Sequence, residues 1–112
     1  MTDHEDWRGP LTISEREEYV SRMDALREEI DKLDEVLVRL LNARAGCALK
    51  IGALKKRLEM EIYQPSREEA VLRHVRSLNK GPLDGDAIAR LFERIIDEAR
   101  RLERTTGERH GS

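Results

Sequence analysis

Several charged residues fall where the surrounding pattern calls for something else. From Met23 the chain places residues at alternating steps of three and four: Met23, Leu26, Ile30, Leu33, Leu37, Leu40, Arg44, Cys47, Ile51, Leu54 and Leu58. That spacing makes one face of a long helix, and Arg44 is its only charged member. Lys55 lies eleven residues beyond Arg44, three helical turns along nearly the same face. In a later stretch Phe92, Ile96, Ala99 and Glu103 step by four, three and four, which sets a carboxyl group on an apolar face. Arg67 follows Pro65 at a helix start, where the helix dipole favours Glu68 and Glu69 and disfavours a cation. Inward-facing cations can grip an anionic ligand, and an inward carboxyl group can exchange a hydrogen bond with it, so together they suggest a polar pocket inside a helical bundle. Structural readings stand beside the functional ones. Arg44 could set register or pair across an interface, Glu103 could reach to solvent, and Arg27, beside Leu26, could be a surface residue paired with Glu28 or Asp31.

The elements that must carry these residues are all helical. Ser14 and Glu17 form a capping-box pattern, and no glycine or proline follows until Gly46. Gly46 and Gly52 each cost about 1 kcal/mol in a helix interior, less than the seam positions around them support. The stretch "MEIY" reads as a short break, and Pro65 opens a second helix that runs to about Asn79 and stops at Gly81 and Pro82. Asp84 or Asp86 caps a third helix with apolar positions Ile88, Leu91, Phe92, Ile95, Ile96, Ala99 and Leu102. The expectation is an all-α chain of three helices, one very long and two short. A flexible segment spans residues 1–13, the helical domain 14–104, and a flexible tail 105–112.

Roughly 45 residues of helix at 1.5 Å each span about 67 Å, against a radius of gyration of about 13 Å for a compact globule of this size. The first helix therefore extends past its own globule with its seam uncovered. A second copy of the chain is the simplest cover, which predicts a homodimer. Composition agrees: of 112 residues 38% are hydrophobic, 39% charged and 4% aromatic. The net charge of −2 supplies no field for nucleic acid or an anionic membrane, so an anion site must be local. The single cysteine, Cys47, excludes an internal disulfide, has no metal-ligand neighbour and reads as a buried small residue. His4, His74 and His110 are scattered in tails or on a charged face. No apolar run approaches membrane-spanning length and the start of the sequence resembles no signal peptide, so a cytoplasmic location is expected.

The segments "MDALREEIDKLDEVLVRLLNARAGCALKIGALKK", "YQPSREEAVL" and "LFERIIDEARRLE" resemble the all-helical (type II) class of chorismate mutases, over about Met23 to Arg104. The resemblance implies an intertwined dimer of three-helix chains with two shared active sites. It also implies the isomerisation of chorismate to prephenate by a Claisen rearrangement in aromatic amino-acid biosynthesis, with no cofactor and no metal. By the same resemblance Arg44, Lys55 and Arg67 grip the two substrate carboxylates, and Arg27 reaches in from the other subunit. Lys55 and Glu103 serve the ether oxygen, and Glu68 accepts from the ring hydroxyl. Ile51, Ile96, Ala99 and Gln64 complete the expected pocket.

Gln64 departs from the family pattern, which has aspartate before the proline and so a stronger helix cap. A carboxyl group donates only when protonated, so a glutamate in the Glu103 role implies activity that falls as pH rises. Two alternatives accompany this reading. One is an isochorismate pyruvate-lyase of the same fold; the other is a sensor or partner module docked on a shikimate-pathway enzyme such as a 3-deoxyheptulosonate-phosphate synthase.

Overall fold

The computed structural model describes residues 9–111, which form helices α1 (Ile13–Arg57), α2 (Pro65–Leu78) and α3 (Gly85–Gly111). The capping box at the start of α1 lies two residues before the expected one. The Glu15 amide donates to Thr12 Oγ1 at 3.1 Å and the Thr12 amide donates to Glu15 Oε1 at 2.9 Å. Thr12-x-x-Glu15 satisfies the same rule as Ser14-x-x-Glu17, and the earlier hydroxyl lengthens the helix.

Helix α1 passes through Gly46 and Gly52 without a break. It closes in a paired turn in which the Met60 amide donates to the Lys55 carbonyl at 2.8 Å and the Glu59 amide to the Lys56 carbonyl at 3.2 Å. Glu59 sits there at φ 56°, a left-handed conformation that glycine would adopt at less cost. The turn sends the chain back beside the end of α1, which brings the Ile62 carbonyl within 2.9 Å of Lys55 Nζ.

Gln64 precedes α2 without capping it; its side-chain amide donates instead to the Glu61 carbonyl at 2.8 Å. Between α2 and α3, Asn79 Nδ2 donates to the Leu83 carbonyl at 2.7 Å, and Gly81 takes φ +82°. Of the two candidate caps for α3, Asp84 fills the role, accepting from the Ala87 amide at 2.7 Å. Asp86 instead accepts from Arg76 Nη1 at 2.9 Å, joining the start of α3 to the end of α2. Helix α3 continues past Arg104 to Gly111, because neither threonine nor a single glycine halts a helix when no proline follows.

The chain divides into two units, residues 1–39 and 40–112. In the first, the described apolar positions of α1 stand open to solvent, with Leu26 65% and Leu33 58% exposed. The second has a thin core: among the described residues Val71 and Ala89 are the buried apolar side chains. Cys47, expected to be buried, is exposed, because it lines an open cavity instead of packing against a neighbouring side chain. No described helix is long and apolar enough to cross a membrane.

Candidate active site

A cavity of about 260 Å³ opens within the second unit. Nine residues expected at the site line it: Arg44, Ile51, Lys55, Gln64, Arg67, Glu68, Ile96, Ala99 and Glu103. The tenth, Arg27, belongs to the first unit. It is exposed, and its near carboxylate is Asp24 at 4.0 Å rather than Glu28 or Asp31.

Lys55 enters from the last turn of α1. Its ammonium donates to the Ile62 carbonyl and lies 3.6 Å from Glu103 Oε2 on α3. Both side chains are withdrawn from solvent, 17% and 8% exposed, so the pair meets in a poorly screened setting. Glu103 Oε2 is buried and has no hydrogen-bond partner among the described residues. A buried oxygen in that state calls for a ligand, a water or a proton. Gly52 lets Glu103 come this close: a Cβ at position 52 would stand 3.1 Å from Glu103 Cγ. The glycine that weakens α1 thus makes room for a site carboxyl group.

Arg44 and Arg67 form no ion pair among the described residues, which leaves both guanidinium groups available to an incoming anion. Arg67, in the first turn of α2, is exposed and faces the cavity mouth together with the helix N-terminus, so a bound carboxylate would meet both a cation and the favourable end of the dipole. Glu68 points toward α3, where Arg100 Nη2 lies 3.4 Å from its Oε2. Arg100 also lines the cavity and was not legible as a site residue. Its one local sign was an Asp97–Arg100 spacing of three, a common surface pairing.

Four cations (Arg44, Lys55, Arg67 and Arg100) and two carboxylates (Glu68 and Glu103) therefore share one small cavity, a formal surplus of two positive charges. Apolar walls from Ile51, Val71, Ile96 and Ala99 complete it. Such a site suits a compact dianion. The described residues contain no cluster able to hold a metal ion.

Comparison with known proteins agrees with this geometry. Residues 26–104 match the family model for chorismate mutase type II. The chain is 42% identical over 87 residues to the bifunctional chorismate mutase/prephenate dehydratase of Stutzerimonas stutzeri, covering 73% of this chain and 24% of that protein. It is 46% identical over 78 residues to the enzyme of the same description from Neisseria gonorrhoeae, covering 70% and 21%. The chain thus spans about a quarter of the length of the curated relatives it matches. Among solved structures, a chorismate mutase from Thermus thermophilus superposes with a TM-score of 0.73 at 35% identity, covering 74% of this chain and 94% of that one. The Helicobacter pylori chorismate mutase in complex with prephenate does so with a TM-score of 0.71 at 32% identity, covering 76% and 92%. With the family model spanning most of the helical region and the charged cavity lying inside it, this chain belongs to the chorismate mutase type II family.

Proposed function

We propose that the chain catalyses the conversion of chorismate to prephenate and does so as a homodimer. The observation that carries this reading is the Lys55–Glu103 pair: an ammonium and a carboxyl group 3.6 Å apart, held in a cavity with surplus positive charge. Chorismate is a dianion, and its two carboxylates suit Arg44 and Arg67. Binding both in fixed positions selects the folded conformer in which the enolpyruvyl methylene lies over the ring.

The rearrangement is one concerted step. The bond from the ether oxygen to the ring carbon breaks as a carbon–carbon bond forms, and no proton or electron enters or leaves. Negative charge gathers on the ether oxygen as that bond lengthens. Lys55 is already oriented by the Ile62 carbonyl, so its remaining N–H groups can donate to the oxygen without reorganisation. Glu103 stands beside Lys55 and serves the same oxygen, and Glu68 accepts from the ring hydroxyl.

The homodimer is supported by the uncovered apolar face of α1 in the first unit. In this reading Arg27 of one copy reaches the pocket of the other. Mixing two inactive variants, Arg27→Ala and Arg44→Ala, tests this, since a mixed dimer carries one intact site and activity returns. Loss of the ring-diene absorbance when the purified chain meets chorismate tests the reaction, and no loss at any pH rejects it. Pyruvate release from isochorismate would mark the lyase instead. Activity that emerges only with a 3-deoxyheptulosonate-phosphate synthase present would mark a partnered form.

A further inference from the structure

We propose that Arg100 is a positioning residue that holds the Glu68 carboxylate in place for the substrate hydroxyl, from an anchor formed by Asp97 and the Tyr63 ring. The proposal rests on the chorismate mutase reading above. Glu68 stands in the first turn of α2 with no backbone cap to fix it, and an unheld glutamate samples several rotamers. Arg100 crosses from α3 and fixes it. The guanidinium is itself immobilised on two sides, with Nη2 at 2.6 Å from Asp97 Oδ1 and the group stacked 4.9 Å from the Tyr63 ring centroid.

The two acids that share Arg100 differ in a telling way. Asp97 is the close one and is 57% exposed, outside the cavity, whereas Glu68 is 3.4 Å away, 26% exposed, and lines it. Asp97 thus takes the short charge-assisted hydrogen bond and acts as the anchor. The longer contact to Glu68 supplies charge and direction but leaves the carboxylate with capacity to accept from a ligand. Arg100 also sits three residues before Glu103 on the same helix, so both pocket carboxyl groups take their position from one face of α3.

A double-mutant cycle on chorismate turnover tests the assignment, with Arg100→Met, Glu68→Gln and the pair combined. If Arg100 acts only through Glu68, Arg100→Met lowers kcat/KM about tenfold in the wild-type background and has no further effect once Glu68 is glutamine. Losses that multiply in the double variant overturn the proposal, because Arg100 would then act on the substrate directly; so does an Arg100→Met protein with wild-type kinetics. Asp97→Asn loosens the anchor without entering the cavity and answers the same question if Arg100→Met fails to fold. Its smaller loss, about two- to threefold, must likewise vanish in the Glu68→Gln background. A wild-type chain that leaves chorismate unchanged rejects the underlying reading before any variant is compared.

Discussion

Replacing Lys55 by methionine separates what this residue does for the fold from what it does for the reaction. The ammonium lies 3.6 Å from Glu103 Oε2, and the carboxyl side chain is only 8% exposed. At an effective dielectric of about 20, two unit charges at that separation attract by roughly 4–5 kcal/mol. Much of this is offset by the cost of withdrawing both groups from water, yet removing one partner strands the other, a change that costs about 3–5 kcal/mol in buried pairs. Lys55→Met should therefore lower the melting temperature by about 12 °C or more, at roughly 4–8 °C per kcal/mol for a domain of this size. Adding Glu103→Gln removes the stranded charge and should recover most of that loss. Activity should not follow stability. In the proposed reaction both the single and the double variant lack the Lys55 ammonium at the ether oxygen and should lose about 10²–10³ in kcat, the usual effect of deleting one such donor, whatever residue 103 contributes. Thermal melts at matched protein concentration, alongside absorbance-based turnover, give both readouts. A double variant that regains activity with stability would show that Lys55 merely neutralises Glu103, and a Lys55→Met protein that melts like the wild type would show that the pair is not energetically buried.

Three further outcomes are expected. Glu103→Gln alone should keep or raise kcat/KM, since an amide N–H donates where a carboxylate ion cannot; a large loss removes the donor role from Glu103. Gln64→Asp should raise stability by about 1 kcal/mol in thermal melts, because Gln64 makes no cap hydrogen bond and a shorter carboxylate can accept from the Ser66 or Arg67 amide. Glu59→Gly should raise stability by roughly 1 kcal/mol in denaturant titrations by relieving the φ of 56°, unless the added freedom of the unfolded chain cancels the gain.

The features legible in the sequence were those that periodicity reports. A seam of alternating threes and fours fixes direction around a helix, so Arg44 and Lys55 could be placed on one face, and Glu103 on another, without tertiary information. Arg67 and Glu68 needed the family resemblance, since locally Arg67 read as a mildly misplaced charge at a helix start and Glu68 as an acid that complements the dipole. Arg100 stayed hidden because its importance depends on which α2 side chain stands opposite, and it lies one step off the apolar row of α3. The burial expected of Cys47 failed for a related reason: periodicity shows which face a residue occupies, not whether anything covers that face. The start of α1 was ambiguous because Thr12 and Ser14 satisfy the same capping rule, and the extent of α3 because no residue after Arg104 is a strong stop.

The thin core has a consequence for how the protein behaves at low abundance. With Val71 and Ala89 the buried apolar side chains among the described residues, and α1 leucines such as Leu26 and Leu33 open to solvent, a single chain has little apolar burial to offset the entropy of folding. If a second copy supplies the missing cover, folding becomes second order in chain concentration. The melting temperature then climbs with concentration, and specific activity falls on dilution as paired chains separate. Synthesis rate would then set not only how much enzyme a cell holds but what fraction of it is folded.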